Sequence, residues 1–180
     1  MPFFIACFEP FPYNLTSLGL YYLGKNMTDP EIAKAERAAV RYLGPRARSE
    51  YEMREYLLRK FSADAVDAAV AFLYRIDCLD DAKFAREWVS YKKQCGKGRR
   101  KVAFELERKG VATALIDAAI SEVYAEPDRK VMRVLVAKKS RSIKPEVTAF
   151  VRRQKISAFL ASRGFTYEEI ANALNDTESP

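Results

Sequence analysis

Between Asp80 and Val123 the apolar residues recur every three or four positions in three successive runs. Phe84 and Trp88, and likewise Ala85 and Val89, share one face of a helix that Asp80 can cap. Val102 and Leu106 mark a second, shorter helix. It is closed by Gly110 after Lys109, where a helix C-terminus favours a residue that tolerates positive φ. Leu115, Ile116, Ala119, Ile120 and Val123 give the buried stripe of a third helix. Three helices of period 3.6 follow one another without a strand pattern between them.

The same unit recurs on both sides. Phe61, Val111 and Phe165 each follow a Leu-x-x-basic run: Leu57-Leu-Arg-Lys60, Leu106-Glu-Arg-Lys109 and Leu160-Ala-Ser-Arg163. Five residues past each anchor stand Val66, Ile116 and Ile170, and nine past it Val70, Ile120 and Leu174, with no gap. The anchors lie 50 and then 54 residues apart, a period at which whole supersecondary units repeat. Repeat one departs from the others in one respect, because Lys60 runs directly into Phe61 with no glycine between.

Start and stop signals complete the pattern. Asp29 caps and Pro30 opens a helix over 29–44 whose inward positions are Ile32, Ala35, Ala39 and Leu43, and Gly44-Pro45 ends it. Ser49-Glu-Tyr-Glu52 and Thr166-Tyr-Glu-Glu169 are capping boxes, the first starting a helix through Lys60 and the second the last helix of repeat three. Pro127 begins a helix to about Ser140, the chain turns over Arg141 to Pro145, and the tail from Asn175 is polar. The predicted fold is all-α, a tandem array of three three-helix repeats, elongated and curved. Its expected divisions are an aromatic extension over 1–26, repeat one over 27–77, repeat two over 78–125, and repeat three with the tail over 126–180. The extension holds seven of the chain's 22 aromatic residues and no sustained period. Met27, two residues before the first cap, is the expected native start. The alternative is an aromatic arm that docks on the array, and N-terminal mass spectrometry of the native protein separates the two.

Composition narrows the class. With 180 residues and 49% hydrophobic content the chain can build a core. Cys7, Cys78 and Cys95 are odd in number and widely spaced, which suits neither a disulfide framework nor a zinc site and fits a reducing cytoplasm. No run of eighteen apolar residues predicts a membrane span. The early apolar run is broken by Glu9, Pro10 and Pro12, which argues against a secretory signal.

Charge changes the picture more. From Lys92 to Lys109 eight basic residues face two acidic ones, and from Arg129 to Lys155 ten face one. These blocks carry +6 and +9 in a chain whose net charge is +7, so the remainder carries −8. Such lopsidedness favours approach to nucleic acid or to an acidic protein groove, against the plainer reading of a solvated lysine-rich surface. The expected contact residues, chosen by this clustering, are Lys92, Lys93, Lys97, Arg99, Arg100, Lys101, Lys138, Lys139, Arg141, Arg152, Arg153 and Lys155. Arg99, Arg100 and Lys101 open a helix, where positive charge opposes the macrodipole, and are expected to project to solvent.

Catalytic chemistry finds little support. The chain has no histidine, the commonest general base and metal ligand. Asp80 and Asp81 are adjacent, so their side chains diverge on a helix, and capping explains them better than shared acid chemistry. Gly96-Lys-Gly98 lacks the rest of either phosphate-binding loop and reads as a flexible turn presenting Lys97, Arg99 and Arg100. Phe84 and Trp88 read as core rather than as base-stacking rings. No enzyme, metal or cofactor is expected.

Asp80-Asp-Ala-Lys-Phe-Ala85, followed by Gly98-Arg-Arg-Lys-Val-Ala-Phe-Glu-Leu-Glu-Arg-Lys-Gly-Val111, resembles the central signature of the RecX family. Arg48-Ser49 with its helix, and Phe159-Leu-Ala-Ser-Arg-Gly-Phe165, resemble that family's first and third repeats, so the likeness spans about residues 33 to 174. The resemblance implies a regulator that lodges in the groove of the RecA filament and limits its assembly, ATP hydrolysis and strand exchange, and the chain is expected to be a monomer. DNA phosphates are a further contact it allows. The rival expectation is a basic helical DNA-binding protein without RecA specificity, reading the major groove with its third helices. Those helices, such as Leu115 to Tyr124, are poor in Arg, Lys and Asn, which disfavours it.

Overall fold

Nine helices, and no strand, form the described residues 29–44, 46–125 and 129–176 of a computed structural model. They are α1 (Pro30–Leu43), α2 (Glu50–Leu57), α3 (Ala63–Arg75), α4 (Asp81–Gln94), α5 (Arg99–Glu107), α6 (Thr113–Val123), α7 (Arg129–Arg141), α8 (Ala149–Ser162) and α9 (Tyr167–Asn175). The residues before Asp29, with Met27, Cys7 and the aromatic stretch, lie outside the described residues, as do Pro45, the Pro127 helix start and the last four positions.

The local signals act as their chemistry requires. Asp29 accepts the amide of Glu31 and Pro30 occupies the first turn of α1. Ser49 and Thr166 each close a full capping box, with Glu52 and Glu169 returning the bond. Asp80 accepts the amide of Lys83 at 2.9 Å, while the neighbouring Asp81 accepts that of Glu50 at 2.8 Å and so joins the start of α2 to the start of α4. Burial pushes the Asp81 carboxyl up, and the Glu50 amide only partly offsets it. The adjacent aspartates therefore serve two separate helix starts.

Contacts divide the chain into a first unit ending at Phe84 and a second beginning at Ala85, within α4. In the first, Ala35, Ala39 and Leu43 of α1 meet Val66, Ala69, Val70 and Leu73 of α3, with Met53 and Leu57 of α2 completing the core. Alanines at the α1 positions let the two backbones approach. Glu50 accepts from Arg54 Nε and from the Tyr74 hydroxyl, each at 2.6 Å. Burial by itself would raise that carboxyl; the bonds from Tyr74 and Arg54 outweigh it and hold it below its ordinary value. Tyr42 and Tyr56 stack at 4.0 Å, with Arg48 over the first ring and Lys60 over the second.

In the second unit, Met132, Leu135, Val136, Ile156, Leu160, Phe165, Ile170 and Leu174 form the core of the last three helices. Ala85, Val89, Val102, Leu106 and Ile116 are buried in the three before. Two inward assignments change in degree. Leu115, Ile120 and Val123 are only half-buried, leaving Ile116 and Ala119 as the sealed positions of α6. Trp88 is half-buried too, its ring covered by the ammonium groups of Lys92 and Lys109, each 4.5 Å from the centroid.

The missing glycine of repeat one has a geometric consequence. After α5 and α8 the chain turns through positive φ, 71° at Gly110 and 90° at Gly164, and Val111 and Phe165 bond back to Leu106 and Leu160. After α2, Phe61 bonds back to Leu57 without a left-handed residue, one position shorter. The helix itself ends at Leu57, before the expected Lys60, as α5 and α8 also end two to three residues short of their glycines.

Candidate binding surface

All twelve clustered cations lie in the second unit, and their side chains divide into two groups. The first group is held inward. Lys92 Nζ pairs with Glu105 at 2.8 Å, which ties α4 to α5 beside Trp88. Lys93 Nζ donates to the Val123 carbonyl at 2.6 Å, capping the end of α6 with a cation where the helix dipole favours one. Arg153 Nη2 donates to Asn175 at 3.0 Å and Arg152 Nη2 to the Lys144 carbonyl at 3.4 Å. Lys139 lies over the Phe159 ring, 5.6 Å from its centroid.

Arg99 departs furthest from expectation. It does not project to solvent: Nε and Nη2 both meet Oε1 of Glu169, at 3.1 and 2.9 Å, and Nη2 also reaches the Tyr124 carbonyl. The other oxygen of Glu169 accepts the Thr166 amide at 2.7 Å. One carboxylate thus caps α9 and holds the first residue of α5. Beneath it the Tyr124 hydroxyl donates to the Lys97 carbonyl at 2.6 Å, and burial, with the Glu169 charge nearby, pushes that hydroxyl far above its ordinary pKa.

Gly96-Lys-Gly98 is likewise a packed joint and not a flexible turn. Both glycines are buried. Gly98 N donates to the Arg163 carbonyl at 2.9 Å, Arg100 N to the Gly164 carbonyl at 3.1 Å, and Arg163 Nη1 to the Gly96 carbonyl at 3.2 Å. A Cβ at Gly98 would overlap the backbone of Gly164 and Phe165, and one at Gly164 would overlap Lys101. Gly98 is there because two backbones touch, whereas Gly96 turns the chain through a φ of 68°. Lys101 Nζ, at 3.4 Å from the Ser162 carbonyl, follows the same seam.

The second group faces water. Arg100, Lys138, Arg141 and Lys155 are exposed, and their side chains make no ion pair or hydrogen bond among the described residues. Lys97 is half-buried, its ammonium also unpaired, and lines a cavity of about 550 Å³ with Lys93, Arg99, Tyr124, Arg133 and Tyr167. These side chains offer positive charge and N–H donors. Among the described residues no three His, Cys, Asp or Glu side chains gather as a metal site would need. No described helix is long and apolar enough to cross a membrane.

Phe104 is an exposed residue that carries no charge. It stands 57% exposed on α5 between Arg100 and Arg108, one turn from each, while Val102 and Leu106 on the opposite face are sealed. The visible signal was that Phe104 breaks the apolar spacing of its own helix.

Comparison with known proteins follows the same threefold division. Residues 35–73 match the first, 80–120 the second and 128–174 the third three-helix domain of RecX. The regulatory protein RecX of Pelodictyon phaeoclathratiforme is 34% identical over 150 residues, covering 82% of this chain and 91% of that one. That of Caldanaerobacter subterraneus is 31% identical over 149 residues, covering 82% and 72%. In fold, the chain is similar to the crystal structure of RecX from Lactobacillus salivarius, with a TM-score of 0.74 at 20% identity over 81% of this chain and 96% of that one.

Proposed function

Because the chain belongs to the RecX family, we propose that it binds the RecA nucleoprotein filament and inhibits the filament's assembly, ATP hydrolysis and strand exchange. Family membership across all three repeats is the observation that carries the reading. Physical chemistry supports it in kind, since unpaired cations on a helical-repeat scaffold suit a groove lined by carboxylates and DNA phosphates. In this reading the protein is a cytoplasmic monomer that regulates by occupancy, with no catalysis and no cofactor of its own. Arg100, Lys138, Arg141 and Lys155 make the principal contacts, aided by Lys97, Lys101, Lys139 and Arg152. Lys92, Lys93, Arg99 and Arg153 add to the field while bound within the molecule.

A major-groove reader is disfavoured by the third helices. Together α3, α6 and α9 carry one cation, Arg75, and two asparagines, Asn172 and Asn175 of α9, and so are poor in the donors that base edges require. Co-sedimentation with RecA filaments on single-stranded DNA tests the proposal. The protein should pellet with the filaments, and less so as salt screens the contact. Protein that stays in the supernatant with saturating filaments at low salt contradicts it.

A further inference from the structure

We propose that Arg100, Phe104 and Arg108 form a protein-docking anchor, in which Phe104 enters an apolar pocket rimmed by carboxylates; resting on the reading above, its partner is RecA in the filament. The core has no use for this face. Phe104 is 57% exposed, whereas Val102 and Leu106 are fully buried on the other side of the same helix. Arg100 and Arg108 lie four residues to either side, about 6 Å along the axis from the ring at each step. Both are exposed, and neither side chain has an ion pair or hydrogen bond among the described residues.

An aromatic ring between two free guanidinium groups matches the composition of interface hot spots, where the ring supplies buried area and the planar forks bind carboxylates bidentately. The anchor is also held ready. Arg100 N is bonded to the Gly164 carbonyl at 3.1 Å and Gly98 packs against the backbone of Gly164 and Phe165, so the backbone that presents the anchor is fixed before docking. The choice between protein and nucleic acid turns on Glu107, exposed three residues beyond Phe104 and so on the same side of the helix. A carboxylate there repels a phosphate track, whereas a protein surface of mixed charge can pair it.

The full chain carrying Phe104→Ala, and separately Phe104→Gln, is compared with wild type for binding to RecA filaments and to a bare oligo-dT strand. Both variants should keep close to the wild-type Tm, because Phe104 is exposed and is not one of the buried core residues. Affinity for filaments should fall about thirtyfold, the effect of losing one hot-spot side chain, with oligo-dT binding unchanged. Arg100→Glu with Arg108→Glu should weaken filament binding at least as much. Wild-type affinity in the folded Phe104 variants overturns the anchor and leaves RecA binding standing. An equal loss on oligo-dT assigns the face to nucleic acid and overturns the protein-docking proposal. Wild-type protein that ignores filaments removes the partner and the proposal together.

Discussion

Glu50 shows how one side chain can be asked to do several things at once. Its carboxylate pairs with Arg54 and accepts from Tyr74, and these bonds outweigh the burial that would otherwise raise it. A carboxyl held below its unfolded value of 4.5 contributes stability that is complete above that pH and is lost as pH falls through the folded value. Glu50→Gln should therefore cost about 1 kcal/mol at pH 7. The gap from wild type should persist down to pH 4.5 and close below it, as urea unfolding across that range will report; a gap that widens on acidification contradicts the assignment. Gly98 is constrained by steric contact, not by charge. Its φ of −82° suits any residue, so Gly98→Ala tests the close approach alone. Overlap with the backbone of Gly164 and Phe165 should cost about 1–3 kcal/mol, read from the unfolding of the second unit by Trp88 fluorescence. No loss would mean that the joint can open without cost. Sequence could not disclose this role, because a glycine in a loose turn and one under a touching backbone are written alike, and the partner lies 66 residues away.

At the level of elements, what was legible was local. Apolar period, capping boxes and the glycines after α5 and α8 depend on neighbours within five residues, and they placed the helices well. What stayed hidden was tertiary. Glu169 is recognisable as a capping-box residue from Thr166 alone, yet its second partner, Arg99, stands 70 residues earlier. Arg99 therefore looked like a solvent-facing cation at the wrong end of a helix dipole, whereas its charge is met by a carboxylate that also caps α9. Replacing Arg99 should destabilise the second unit, not leave it unchanged or improved. A double-mutant cycle of Arg99→Ala and Glu169→Gln should give a coupling of about 1 kcal/mol in denaturant unfolding, and additive losses would remove the pair from the account. Within the basic blocks, helix seams claim Lys92, Lys93 and Arg99 and leave Arg100, Lys138, Arg141 and Lys155 facing water.

For the whole molecule, charge is the property that sequence carried most faithfully, because it needs no fold to be counted. Two segments of +6 and +9 within a net of +7 leave the remaining chain negative, so the cationic field belongs to repeats two and three. That field raises the rate of encounter with an acidic partner and is screened over about 8–10 Å at ordinary ionic strength. Which partner it meets is not written in charge, and there the proposal rests on family membership. The central claim is that the protein restrains RecA by occupying its filament, and the rate of RecA ATP hydrolysis on single-stranded DNA measures this most directly. Added at well below the RecA concentration, the protein should lower that rate, because one bound molecule obstructs several protomers or halts extension. A rate unchanged by a large molar excess of folded protein would contradict the account.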